Sequence, residues 1–317
     1  MNGATDHDLA SAIKNKALSL GFDLVGITSA DAPARAPYLR QWIDAGKHGQ
    51  MHYLAERVDE RADPAVYFPG AKSVVCVGLN YHTPLEAPPD DGPRGRVARY
   101  ALGQDYHTLI KDRLYDLADW IRGAVPGALT RCGVDTVPVL ERELAARAGI
   151  GWVGKHTIVI NENIGSWILL GEVLTTLDLP VDTPAVDRCG TCTRCIDACP
   201  TGAITGPYQL DARRCISYLS IEHEGEISEE LEKATGDWIF GCDVCQDVCP
   251  YNTSGRPPIA TDPALQPRYA SGTVGLNDVL NWTQEDYHAQ TRRSATRRVK
   301  LDVLQRNAGI ALKNLNR

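Results

Sequence analysis

The stretch CGTCTRCIDACP, residues 189–200, carries four cysteines at steps of three, three and four, with a proline after the last. A shorter run, CDVCQDVCP, follows at 242–250. Such a cadence obliges the chain to wrap a small inorganic guest. In two-cluster ferredoxins three thiolates of the run converge on one iron–sulfur cube and the fourth reaches to the other. The second run must then return one thiolate to the first cube. This predicts Cys189, Cys192, Cys195 and Cys249 around one 4Fe–4S cluster, and Cys199, Cys242 and Cys245 around another. The second set is one ligand short, and Cys215, between the runs, completes it. Zinc is the alternative guest, because CxxC pairs also serve zinc, but zinc does not call for the CxxCxxCxxxCP cadence. Cys76 and Cys132 stand apart, in or beside apolar strands, and read as packing residues.

Most of the 317 residues lie outside these runs. At 43% apolar and 23% charged the chain is globular and able to bury a sizeable core. A net charge of −7 argues against a nucleic-acid binder that works through bulk charge. It leaves room for a local patch such as RRSATRRVK, residues 292–300, whose plainer reading is a solvated helix face. The first residues are polar and amphipathic, without the apolar block of an export signal, and no run approaches membrane-span length. A cytoplasmic location with no membrane partner is the expectation.

Along the chain, apolar spacing predicts a helix over 7–20 stopped by Gly21, then a strand at LVGIT. Helix is expected over 36–60, ending near Pro64, and a strongly apolar strand at KSVVCVGLNY. The segment from Asp105 reads as a long helix with Leu109, Leu114, Leu117 and Ile121 on one side. A short strand near Val134 precedes a helix over VPVLERELAARAG, with Pro138 in its first turn and Gly149 at its exit. Two antiparallel strands joined by a turn at Asn163–Gly165 follow. Helices on a mainly antiparallel or mixed sheet are therefore expected for the first 180 residues. The cysteine region extends to about 255, and a proline-marked, amphipathic helical tail completes the chain.

Two motifs suggest chemistry and fail on context. GIGWVGK matches GxGxxG at Gly149, Gly151 and Gly154, but a helix precedes it and a strand follows, the inverse of a dinucleotide site. Turn glycines, or a loop whose backbone approaches a ligand closely, fit better. Asp105 and His107 resemble the start of a D-x-H-x-x-G cobalt-ligand signature, but Ile110 stands where its glycine belongs, so Asp105 reads as a helix cap.

The segments ERADP, RYALGQDYH, GVDTVPVLERELAARAGIGWVGKHTIVINENIGSWILLGEVLTTL, CGTCTRCIDACPTGAI, RCISYLSIEHEG and GCDVCQDVCPYN, in this order, resemble the epoxyqueuosine reductase family. The resemblance implies an α+β chain. Residues 1–180 would be a nitroreductase-like cobalamin-binding domain, 181–255 a ferredoxin-like domain with two 4Fe–4S clusters, and 256–317 a helical tail, short beside family members with HEAT-like repeats. The architecture would be similar to that of reductive dehalogenases. It further implies reduction of epoxyqueuosine to queuosine at the tRNA wobble position, with electrons passing from the clusters to cobalamin. The partners would be tRNA and an electron donor, the enzyme acting as a monomer. Asp135 would protonate the departing oxygen, which requires a carboxyl pKa raised by burial against the corrin; capping of the following helix is its plainer role. Cobalamin contacts would fall at Arg61, Ala98, Arg99, Asp135, Val159, Leu170, Ser217 and Asp243, several through the backbone. For Arg61 and Arg99 a surface ion pair is the alternative. With the histidine signature broken, water or nothing would sit below the cobalt. Rival readings of the whole chain are a cobalamin-dependent reductase of a small organic substrate, and a ferredoxin-type electron carrier with a docking domain.

Overall fold

A computed structural model describes residues 6–253, 255 and 257–317. Its centre is a four-stranded antiparallel sheet in the order β1-β2-β7-β4. These strands are β1 (Leu24–Ser29), β2 (Ser73–Asn80), β4 (Thr130–Gly133) and β7 (Ile168–Thr175). Every residue of β2 and β7 is buried, so both faces of the sheet are covered. The period of two divides their side chains. Val75, Val77, Leu79, Leu169 and Val173 point into the main core with the Asp6–Ser19 and Tyr106–Ala124 helices. Val74, Cys76, Ile168, Leu170 and Leu174 pack on the opposite side with the Glu141–Arg147 helix. Cys76 is buried and half-buried Cys132 donates its thiol to the Leu114 carbonyl, as packing residues would.

The Tyr106–Ala124 helix shows how this core places chemistry. Ile110, Leu114, Leu117 and Ile121 are fully buried along one side, each contributing about 1.5–3 kcal/mol. Asp105 accepts the His107 N–H and caps the helix, which pins its first turn, and His107 with it, at the edge of the core.

A second sheet joins the sequence segments. It runs β10-β3-β11, with β3 at Arg94–Val97, β10 at Trp238–Phe240 and β11 at Thr273–Gly275. One strand comes from each expected segment, so the segments share a sheet in space. The Leu301–Leu315 helix buries Val303, Leu304, Ala308 and Ala311 in the main core. Its Asn307 amide donates to the Ser220 and Ile239 carbonyls. Two hairpins complete the strands: β5 (Trp152–Val153) with β6 (Val159–Ile160), and β8 (Ile204–Gly206) with β9 (Gln209–Leu210).

Several expectations are corrected. The 36–60 stretch is three helices, Ala36–Asp44, His52–Glu56 and Val58–Ala62; Gly46 and Gly49, at φ of 65° and 60°, take the chain left-handed between the first two. The helix expected from Val137 begins at Glu141. Pro138 holds the residue before it extended, so Val134–Leu140 form a loop. The strand pair expected around Asn163–Gly165 does not form as a hairpin. Asn161 and Gly165 bridge each other, but β6 pairs with β5, and β7 goes to the central sheet.

Candidate functional site

Asp135 lies in the Val134–Leu140 loop at φ 49°, a left-handed conformation uncommon away from glycine. The Glu141 carboxylate accepts its backbone N–H and holds the loop there. Asp135 does not cap the helix that follows, which starts beyond Leu140. Its Oδ2 instead receives His107 Nε2 at 3.1 Å and the Tyr106 hydroxyl at 3.3 Å. The other nitrogen of His107, Nδ1, donates to Asp105 Oδ1 at 2.7 Å. Two carboxylates facing both ring nitrogens favour the imidazolium. Partial burial would pull the His107 pKa down, but its bonds to Asp105 and Asp135 and their charges raise it to about 9. The protein's own groups set the Asp135 pKa in the opposite direction from the one expected against a corrin. Burial pushes it up, but the His107 bond and charge, with the Tyr106 hydroxyl, carry it below the ordinary value. The side chain is 54% exposed, which leaves those partners in control.

Further carboxyls sit behind this loop. Burial and the Asp135 charge push Glu141 up to about 7. Burial, then the charges of Glu141 and Asp135, raise Glu172 on β7 well above the carboxylate range. Glu172 is 1% exposed and its Oε2 has no hydrogen-bond partner. An acid inside a strand as apolar as WILLGEVLTTL is a sequence signal that pattern reading passes over. His107 was hidden in the same way, by the helix cap formed two residues earlier.

The expected cofactor contacts fall in separate places. Arg61 is 9% exposed, and its guanidinium makes one long bond, 3.4 Å, to the Val137 carbonyl, with Nε unsatisfied. The surface ion-pair alternative is excluded for it. Arg99 does form ion pairs, to Asp247 at 2.6 Å and Asp243 at 3.6 Å, and lies over the Trp167 ring. Asp243 is buried and accepts the Arg99 backbone N–H; burial lifts its pKa to about 6 despite that bond. Ala98 is buried beside it, with its N–H on the Phe240 carbonyl. Ser217 sits half-buried two residues past Cys215. Val159 and Leu170 place their side chains in the apolar core, which leaves only their backbones to face a ligand.

The thiols gather in two foursomes. Cys195 lies within electrostatic reach of Cys189, Cys249 and Cys192. Cys242 lies within reach of Cys215 and Cys199, and Cys245 of Cys242 and Cys215. Cys245 also senses Cys195, so the foursomes adjoin. Burial raises the thiol pKa at Cys189, Cys215, Cys245 and Cys249, to about 11 at Cys195 and to about 12 at Cys242. Among the described residues no three His, Cys, Asp or Glu side chains close around a single ion. A cluster is a larger guest with its own positive iron, and it ionises the thiols it binds.

The rim is aromatic and basic. Tyr106 stacks on His107, and Tyr100 meets Tyr106 edge-on. Arg298 lies over Tyr53 and feels both Tyr53 and Asp135. The run at 292–300 is thus partly at the mouth of the Asp135 site. It is turn and short 3-10 helix (Ala295–Arg298), not a long helix face. Arg298 pairs with Glu222 and Lys300 with Glu224, while Arg292, Arg293 and Arg297 are exposed.

Residues 61–136 match the family described as "Epoxyqueuosine reductase QueG, DUF1730". Residues 188–252 match "4Fe-4S double cluster binding domain". The epoxyqueuosine reductase of Xanthomonas campestris pv. campestris is 43% identical over 311 residues, covering 97% of this chain and 87% of that protein. The crystal structure of an epoxyqueuosine reductase with an epoxyqueuosine-modified tRNA-Tyr stem loop is similar, at TM-score 0.90 and 30% identity, over 98% of this chain and 82% of that one. So is the Bacillus subtilis enzyme with its catalytic aspartate loop swung out of the active site, at TM-score 0.88 and 30% identity, over 98% and 82%. With that degree of identity running along nearly the whole chain, the protein belongs to the epoxyqueuosine reductase family.

Proposed function

We propose that this chain reduces epoxyqueuosine to queuosine at the wobble position of tRNA, an epoxide taking up two electrons and two protons to give an alkene and water. The observation that carries the proposal is the 3.1 Å contact between His107 Nε2 and Asp135 Oδ2, a proton held at the edge of an open site. An alkoxide leaves poorly, so the departing oxygen must be protonated. His107 holds that proton and Asp135 presents it, moving on a loop kept in place by Glu141 through one backbone bond. The B. subtilis relative, whose catalytic aspartate loop can leave the active site, supports a mobile role for this loop.

In this reading Cys189, Cys192, Cys195 and Cys249 hold one 4Fe–4S cluster and Cys199, Cys215, Cys242 and Cys245 the other, within residues 181–255. Residues 1–180 contribute most of the cobalamin site. Arg61 suits that cofactor because its unsatisfied Nε–H faces no protein acceptor, and corrin side-chain amides are acceptors. Half-buried Arg99, paired with buried Asp243 near Cys242, and the backbones at Ala98, Val159, Leu170 and Ser217 complete the set. When bound, the clusters supply single electrons and cobalamin supplies a strongly reducing cobalt centre. The basic run beside Arg298, through its exposed Arg292, Arg293 and Arg297, takes the anticodon loop together with Tyr53, where aromatic faces and phosphate contacts serve single-stranded bases.

The test is anaerobic reconstitution with iron, sulfide and cobalamin, addition of a strong reductant, and nucleoside analysis of epoxyqueuosine-containing tRNA. Wild-type protein forms queuosine; Asp135→Asn retains cobalamin absorbance and forms none. Near-normal turnover by Asp135→Asn would remove this residue from the chemistry. A chain that takes up clusters but no corrinoid would act as an electron carrier instead, and one that binds cobalamin but leaves the tRNA unchanged would act on a smaller substrate.

A further inference from the structure

The GIGWVGK stretch matches no dinucleotide site, yet it builds the surroundings of one thiol foursome. It runs into the β5–β6 hairpin, where Trp152 is 4% and Lys155 8% exposed. Lys155 Nζ donates to the carbonyls of Gly190 at 2.6 Å and Cys192 at 2.9 Å. A buried ammonium is costly unless it is paired, and among the described residues Lys155 has no carboxylate partner. The two carbonyls accept two of its three hydrogens and leave its charge uncompensated. They also belong to the loop that carries Cys189 and Cys192. Trp152 presents the matching case of a neutral donor. Its buried indole Nε1 completes no hydrogen bond within the protein, and the group it is directed towards is the Cys189 sulfur. That sulfur also receives the Lys155 backbone N–H. Tyr251 meets the indole edge-on at 4.9 Å between centroids, while Ile160 and Cys249 pack around it and fix its direction.

The other foursome has different surroundings. Cys215 receives backbone N–H groups of Tyr218 and Ser217, and Cys242 that of Val244. The charged group beside Cys242 and Cys245 is the Asp243 carboxyl. One foursome thus faces a buried cation and an indole donor, with the exposed Asp187 carboxylate also beside Cys189, and the other faces a buried acid that Arg99 pairs.

We propose that Lys155 and Trp152 are positioning residues that raise the reduction potential of the Cys189–Cys192–Cys195–Cys249 cluster above that of its neighbour, the ammonium as counter-charge and the indole as donor to the Cys189 thiolate. This rests on the cluster assignment above. The step concerned is a one-electron reduction. The cluster gains one electron from a one-electron donor, no bond is made or broken, and the added negative charge spreads over the thiolates. Hydrogen bonds to sulfur and nearby charge favour the more negative, reduced state and so raise the potential. The Cys189–Cys192–Cys195–Cys249 cluster becomes the easier one to reduce, a fitting entry point for electrons.

The test is an EPR-monitored potentiometric titration of the full chain with both clusters reconstituted, using dithionite as reductant. Wild type, Lys155→Met and Trp152→Phe are compared, and Cys192→Ser marks which signal belongs to the first cluster. The expected result is iron content equal to wild type in both tuning variants. The marked signal alone becomes harder to reduce, on the order of tenfold in the equilibrium constant, which is about 59 mV for one electron. Should Lys155→Met lose its iron, Trp152→Phe, which keeps an aromatic ring in the same space, decides the matter. Unshifted titrations, or equal shifts of both signals, overturn the inference while leaving the clusters in place. A wild-type chain that takes up no iron removes the cluster reading itself.

Discussion

His107 carries its ring between Asp105 and Asp135, and its charge state sets what the pair can do. Its folded pKa, about 9, lies above the ordinary 6.5. Stabilisation from the imidazolium is therefore complete below pH 6.5 and lost as pH rises through about 9. With a third of the ring exposed, solvent screening keeps that contribution small. Turnover carries the larger signature. The wild-type rate should fall as pH rises through about 9, where the proton leaves. In His107→Gln the rate should drop by roughly 10²–10⁴-fold, the usual contribution of a positioned acid, and that alkaline limb should vanish. Single-turnover rates across pH, with cobalamin content measured alongside, check this; an unchanged profile in His107→Gln would assign the proton to another group. At this scale the cysteine runs were legible from their spacing, and Asp135 and Arg61 as candidates from resemblance. The partner of Asp135 was not, because a hydrogen bond across 28 positions leaves no periodic mark.

Among the elements, β1 and the Glu141–Arg147 helix show how packing sets the site. Gly26 on β1 lies against the end of that helix so closely that a Cβ would meet the Ala148 carbonyl oxygen. The same helix begins just after the Asp135 loop and supplies Glu141, which holds it. Gly26→Ala should therefore cost about 1–3 kcal/mol through overpacking and displace the loop as well. Thermal melting should show a lower Tm, and turnover should fall more than the folded fraction accounts for. An alanine variant with wild-type Tm would mean that the helix can shift freely. The β2 and β7 strands were plain in the sequence, since a run buried on both faces is apolar throughout. The partner of β6 was not, because a two-residue strand has too few side chains to state which neighbour it faces.

For the molecule as a whole, substrate capture must work against a net charge of −7. A local basic rim is the physical answer, since neutralising phosphates releases counterions wherever it occurs. Replacing Arg292, Arg293 and Arg297 together by alanine should weaken stem-loop binding and flatten its salt dependence. The log–log slope should fall by roughly 0.7–0.9 for each phosphate that is no longer neutralised, with both clusters retained. Anisotropy titrations over a salt series measure this, and an unaltered slope would make the run merely solvated. The Arg298–Glu222 and Lys300–Glu224 pairs keep part of the run occupied, so the effect belongs to the other three.

The sequence by itself determined the redox character of this protein, because cluster ligation depends on thiols at short, countable spacings along one chain. It also determined the two central strands and the long helices, whose burial repeats with a local period. Only the tertiary structure decided that one sheet would bind three sequence segments together, that Asp135 would be ionised beside a charged histidine, and that a buried lysine and tryptophan would face one foursome of thiols and an acid the other. Those outcomes depend on charges and donors brought together from distant positions, and their energies are set by the burial that folding alone creates.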